Sequence, residues 1–177
     1  MNAPLSTGWR AAIALASLCA ASLAGAGTGA NDLAPSGLPA AAPQGHALAL
    51  RQQGTGNGAA IEQSGQQHVF DGVQAGAAQR IKVAQRGSLQ RATLLQEGGA
   101  NTLDLLQSGD GNHAGVAQVG QDNQASIVQD GSGHRADVDQ HGSLNTARVA
   151  QYGREGSARI SQSGSGKTAT LIQHQGR

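Results

Sequence analysis

A glutamine returns every eleven residues, without a miss, from near the end of the first third of the chain to its end: Gln52, Gln63, Gln74, Gln85, Gln96, Gln107, Gln118, Gln129, Gln140, Gln151, Gln162 and Gln173. Two residues after each of the first eleven stands a glycine: Gly54, Gly65, Gly76, Gly87, Gly98, Gly109, Gly120, Gly131, Gly142, Gly153 and Gly164. Only the last unit departs, with Gln175 in that slot. A fixed short period of this extent marks a repeat architecture, in which no unit buries its apolar face alone and neighbouring units must stack. Function is then to be sought in the stack and not in a pocket.

Three further columns follow when each glutamine is counted as position zero. Position five is polar, mostly Asn, Gln or His, as in Asn57, His68, Asn101, Asn112, Asn123 and Asn145. Position seven is mostly alanine, and position nine is almost always Ile, Val or Leu, from Ile61 to Leu171. These columns are spaced by two, which places them on one face of a β-strand. Pairs such as Thr55-Gly56, Asp110-Gly111 and Ser132-Gly133 at positions three and four are turn formers. The repeat length is odd, so a corner must reset the face once per unit. The expected fold is all-β: a two-sheet parallel β-solenoid of cross-β type, with one strand and one turn per 11 residues and 22 residues per coil.

An eleven-residue period also suits a right-handed coiled coil. That fold needs apolar residues spaced by three and four. Here the spacing is two, and the glycine of each unit would cost a helix about 1 kcal/mol relative to alanine. Charge placement agrees with strands. Asp71, Lys82, Asp104, Asp137, Arg148 and Arg159 fall on the opposite face, and Lys167 is the one charge inside the pattern expected to face inward. A buried unpaired charge is costly, so this segregation follows the face assignment.

At 22 residues per coil the glutamines form two vertical files, each amide donating to one neighbour and accepting from the other, as in other cross-β stacks. Asn101, Asn123 and Asn145 are expected to form a shorter ladder near a corner, and the eleven glycines to serve the turns. The unit from Gln63 to Gln74, where Phe70 and Gly72 break the pattern, is expected to be the least ordered.

The chain has 177 residues, a net charge of +1 and 2% aromatics. So few aromatics exclude an ordinary globular core. With no basic stripe and no interleaved aromatics, nucleic acid is excluded as a partner. Residues 1–26 read as a secretory signal peptide, with Arg10, an apolar run from Ala11 to Ala24, and cleavage sites open after Ala26 or Ala30. Cys19, the only cysteine, lies inside that run. Residues 27–47, with Pro35, Pro39 and Pro43, read as a flexible leader, and residues 48–177 as the repeat region. No nucleophile elbow, phosphate loop or metal-spaced cluster occurs, and His46, His68, His113, His134, His141 and His174 are scattered. The expectation is therefore no enzyme, no cofactor, no metal and no small-molecule substrate. A monomeric secreted solenoid with a binding face is the alternative to a structural subunit. It calls for a regular outer array, whereas position eight runs Ala60, Asp71, Lys82, Thr93, Asp104, Gly115.

The unit Q-x-G-x-x-N-x-A-x-[IVL]-x-Q resembles the repeat of curlins, the secreted subunits of curli amyloid fibres. The cleanest matches run from Gln107 to Gln118, from Gln118 to Gln129 and from Gln140 to Gln151. The resemblance implies a β-solenoid subunit that passes the periplasm and a dedicated outer-membrane export pore with its periplasmic export factors. It further implies polymerisation, with copies of itself and with a second curlin-type subunit, on the surface of a Gram-negative cell. Fibres of this kind serve adhesion and biofilm matrix. In that family the leader stands where an export-targeting segment is kept. The unbroken spacing and the irregular last unit look more like the minor, nucleating subunit than the major one.

Overall fold

Tight spacing of small and aliphatic residues on one face, with a corner every eleven residues, closes the chain into the expected two-sheet solenoid. The computed structural model describes residues 45–176. The expected signal peptide, its cleavage sites and residues 27–44 of the expected leader lie outside the described residues. Twelve strands follow one another: β1 (Ala47–Thr55), β2 (Gly58–Gln66), β3 (Val69–Ala77), β4 (Arg80–Ser88), β5 (Arg91–Gly99), β6 (Thr102–Asp110), β7 (His113–Gln121), β8 (Gln124–Ser132), β9 (Arg135–Ser143), β10 (Thr146–Arg154), β11 (Ser157–Ser165) and β12 (Thr168–His174).

Odd-numbered strands form one six-stranded sheet in the order β1-β3-β5-β7-β9-β11, and even-numbered strands form the other, β2 to β12. All the pairings are parallel with an offset of one coil: Ala92 pairs with Ala114, Leu94 with Val116 and Gln96 with Gln118. The chain alternates between the sheets at every corner, so a coil is two strands. Between the sheets lie the aliphatics of position nine, including Val83, Leu94, Leu105, Ile127, Val138 and Val149, and the alanines of position seven from Ala92 to Ala158, all buried. Each such aliphatic contributes about 1.5–3 kcal/mol on burial. Alanine opposite them lets the two sheets approach.

The unit expected to be weakest is regular. β3 is a full nine-residue strand and Phe70 is buried at 1% exposure. The reason is an exchange of volume along one strand. A Cβ on Gly72 would lie 2.8 Å from the Phe70 ring, so the ring occupies the space that an aliphatic at position nine fills elsewhere. Phe70→Ala should therefore cost about 3 kcal/mol or more, and Gly72→Val should clash. The double variant Phe70→Ala/Gly72→Val, which rebuilds the usual Ala and Val columns, is expected to lie within about 1.5 kcal/mol of the parent. Urea melts of the four chains in the cycle measure this.

The expected inward charge is also different. Lys167 is exposed. It lies at the corner of the last coil, where no further coil covers it.

Candidate assembly site: amide files, corners and open edges

Each glutamine column is a continuous chain of side-chain hydrogen bonds. In the first sheet Nε2 of Gln52 donates to Oε1 of Gln74 (2.5 Å), Gln74 to Gln96 (3.0 Å), Gln96 to Gln118 (2.7 Å), Gln118 to Gln140 (2.9 Å) and Gln140 to Gln162 (2.8 Å). In the second, Gln63 donates to Gln85 (2.7 Å), Gln85 to Gln107 (2.9 Å), Gln107 to Gln129 (2.9 Å), Gln129 to Gln151 (3.0 Å) and Gln151 to Gln173 (2.9 Å). All donors point the same way, toward the C-terminal coil. The glutamines from Gln74 to Gln151 are fully buried.

A second bond is not visible in the period. From Gln74 onward the other N–H of each amide crosses to the opposite sheet, to the carbonyl sixteen residues earlier: Gln96 to Arg80 (3.3 Å), Gln118 to Thr102 (3.1 Å) and Gln140 to Gln124 (3.1 Å). The file thus ties coil to coil and sheet to sheet. A buried amide tolerates its low-dielectric setting only when its donors and acceptor are met, and here they are.

Asn101, Asn123 and Asn145 do not form the amide ladder expected of them. Only one side-chain pair closes, Nδ2 of Asn145 to Oδ1 of Asn123 at 3.1 Å. The short side chain instead clips the corner. Asn101 Nδ2 donates to the carbonyls of Glu97 (3.0 Å) and Gly120 (3.1 Å), while its Oδ1 accepts the backbone N–H of Asn123 (3.0 Å). Asn112 does the same with Ser108, Gly131 and His134. Corners leave backbone groups that the ladders cannot reach, and these side chains take them.

Histidine fits the same slot as one tautomer. His134 Nδ1 accepts the N–H of Gly156 (3.0 Å) while Nε2 lies 3.3 Å from the Asp130 carbonyl. His68 Nδ1 accepts from Gln90 N–H (3.3 Å), with Nε2 at 3.0 Å from the Ser64 carbonyl. His46 stacks on His68, with ring centroids 4.8 Å apart, and its Nδ1 accepts the His68 N–H at 3.3 Å. Partial burial, and then the nearby His68 charge, lower the His46 pKa from 6.5. A lowered histidine pKa means the unfolded chain binds the proton more readily. Stability from this contact is whole above pH 6.5 and falls as the pH drops below it. Acidification from about pH 7.5 to about pH 5.5 should therefore lower the amide protection factors in β1 and at His68 more than in β8.

The column glycines lie inside the strands and not in the turns. Gly54 is the penultimate residue of β1 and Gly109 that of β6. Their φ values run from +98° at Gly153 to +135° at Gly131. The sharp left-handed residue is position four, whatever occupies it: Gln67, Ala78, Leu89, Ala100, Asp122, Leu144 and Glu155 all have φ between +53° and +58°. Each such residue carries about 1 kcal/mol of strain. It is held by a backbone bond to the coil before, as from Leu89 N–H to the Gln66 carbonyl at 3.0 Å. In the sequence only the glycines of the turn pairs, such as Gly56, Gly111 and Gly133, mark this column, and its other residue types vary.

Among the described residues no cluster of His, Cys, Asp or Glu could hold a metal ion, and no helix is long and apolar enough to cross a membrane. Among the described residues the unpaired strand edges are at the ends: β1 and β2 at one, and β11 and β12 at the other, are paired on one side only.

Residues 99–131 and 135–164 match the family model described as the curlin associated repeat. No curated protein and no solved structure matches the chain.

Proposed function

Because the chain belongs to the curlin family, we propose that it is a secreted structural subunit of curli-type extracellular amyloid fibres. The reading is that the chain works by stacking and not by catalysis. The observation that carries it is the pair of ends left open among the described residues, on a stack whose inner coils repeat the chemistry of their neighbours. Among the described residues, β1, β2, β11 and β12 each offer an unpaired row of backbone groups. Such edges add further strands unless something covers them. Gln52 and Gln63 turn amide oxygens outward at one end, because their Nε2 groups are already used upward.

Outward carboxylates at Asp71, Asp104 and Asp137 would slow sideways aggregation during export. Asp137 is held between Arg135 (3.0 Å) and Arg159 (3.5 Å) on the outer face. In this reading residues 1–26 direct secretion, residues 27–47 serve as a leader read by export factors and the outer-membrane pore, and residues 48–177 form the fibre unit at the cell surface, in adhesion and biofilm matrix. The file-forming glutamines, with Asn101, Asn123 and Asn145 at the corners, are its functional residues. A minor, nucleating role beside a second subunit fits the irregular last coil.

The test is purified chain lacking residues 1–26, followed by thioflavin fluorescence and fibre diffraction. The expected result is fibres with reflections near 4.8 Å and near 10 Å. A solution that stays monomeric for days would contradict the reading.

A further inference from the structure

The two ends of the stack differ in chemistry. Inside the stack, three features join one coil to the next. At the inner corners apart from that of Gln79, whose Oε1 is left without a partner, a polar side chain accepts the backbone N–H of the residue 22 positions on, as Asn123 Oδ1 does from Asn145 N–H at 3.2 Å. A glycine two after each glutamine leaves room for the next coil's backbone: a Cβ on Gly120 would lie 2.8 Å from the Gly142 carbonyl carbon and nearer still to its oxygen. An amide N–H of each glutamine donates to the glutamine above.

The C-terminal face lacks most of these. Its corner residues are Gly156, which has no side chain, and Lys167, whose ammonium has no acceptor. Gln175 replaces the glycine in the second sheet, outside the positive-φ conformation of that column. Nε2 of Gln162 turns back onto the Lys167 carbonyl at 3.1 Å, so this donor is already engaged within the chain. The N-terminal face keeps the interior pattern: Gln52 and Gln63 with their oxygens outward, Leu50 and Ile61 half-buried in the core columns, and Gly54 and Gly65 in both slots.

We propose that the N-terminal face, β1 with β2, is the docking surface for a different eleven-residue-repeat chain whose last coil is complete. Such a chain has an Asn, Gln or His acceptor at both corners and glycine in both slots. The C-terminal face is a slow end. In a continuing stack, two copies of this chain can meet only C-terminal face to N-terminal face. That junction carries the defects at Gly156, Lys167 and Gln175, so a second copy is the poorer occupant. This inference rests on the fibre reading above and adds the direction and the partner.

The probe is the Lys167→Asn/Gln175→Gly variant of this same chain, which restores one corner acceptor and one glycine slot. Gly156 is left alone, because a Cβ there would lie 2.8 Å from His134 Nδ1. Lys167 and Gln175 are exposed, so the variant keeps its fold, as circular dichroism would verify. Thioflavin-monitored elongation of the variant is expected to run about ten-fold faster than that of the parent at equal concentration. Adding Leu50→Asp and Ile61→Asp, which spoil the N-terminal face, should return growth to the parent rate or below. Parent chain mixed into the variant at a low ratio should shorten its fibres, since it docks by its good face and then presents its slow one. Equal elongation by parent and variant overturns this inference and leaves the fibre reading standing. Growth that stays faster than the parent's with the N-terminal face spoiled also overturns it. No fibres from either chain sinks both.

Discussion

Gly109→Ala abolishes the folded stack. The substituted Cβ would lie 2.9 Å from the Gly131 carbonyl carbon and closer to its oxygen, and neither atom can move without opening the parallel ladder between β6 and β8. The residue also has φ +106°, which an L side chain rarely adopts. Its carbonyl anchors the Gln90 amide at 2.8 Å, so a shift to relieve the clash breaks a corner bond as well. Strain and clash together are expected to exceed about 4 kcal/mol, a large part of the stability of a domain this size. Gly111→Ala is the control. Gly111 has φ +63°, nothing within 4 Å of a built Cβ, and Leu89 and Glu155 in its own column at φ +56° and +54°. Its cost should be about 1 kcal/mol. Urea denaturation followed by circular dichroism separates the two, and similar losses in both would refute the role given to the glycine column.

Gln118→Leu is the second large effect. The glutamine is fully buried and holds three contacts: it accepts from Gln96 at 2.7 Å and donates to Gln140 at 2.9 Å and Thr102 at 3.1 Å. Leucine keeps the volume and leaves the Gln96 donor, the Gln140 oxygen and the Thr102 carbonyl short of a partner. Each orphan costs about 1–3 kcal/mol, and apolar burial of the new side chain offsets about 2 kcal/mol. A net loss of about 3 kcal/mol is expected. Gln52→Leu, at the exposed end of the same file, leaves only the Gln74 oxygen short of a partner and should lose about 1 kcal/mol. Chemical denaturation of both variants gives the comparison. Equal losses at the middle and the end would show that the files are not energetically continuous.

Why the period was so informative is itself physical. Gln96 lies on Gln118 and Leu94 on Val116 because the same residue type must recur wherever hydrogen bonding or sterics repeat from coil to coil. Strand faces, two sheets, the 22-residue coil and the glutamine files were all legible on that ground. The cross-sheet bond from Gln118 to Thr102 was not, because any residue supplies a carbonyl and leaves no mark in the sequence. The left-handed corner was hidden for the same reason: Leu89, Ala100 and Glu155 adopt it because backbone bonds to the neighbouring coil hold them there. Asn101 and Asn123 were recognised as a column but misread as a ladder, since the reach of an Asn side chain relative to a corner is set by the turn geometry. Phe70 and Gly72 looked like two defects; together they are one exchange of volume.

Solid-state NMR on fibres offers the most direct measurement, with Gln96 labelled at Nε2 and Gln118 at its side-chain carbonyl carbon, and the labelled chain diluted into unlabelled chain. If one chain supplies both rungs, the coupling between these two amides reports close contact, within about 5 Å, and does not weaken on dilution. A coupling that vanishes on dilution, with each Gln96 stacked instead on Gln96 of another copy, would contradict the solenoid.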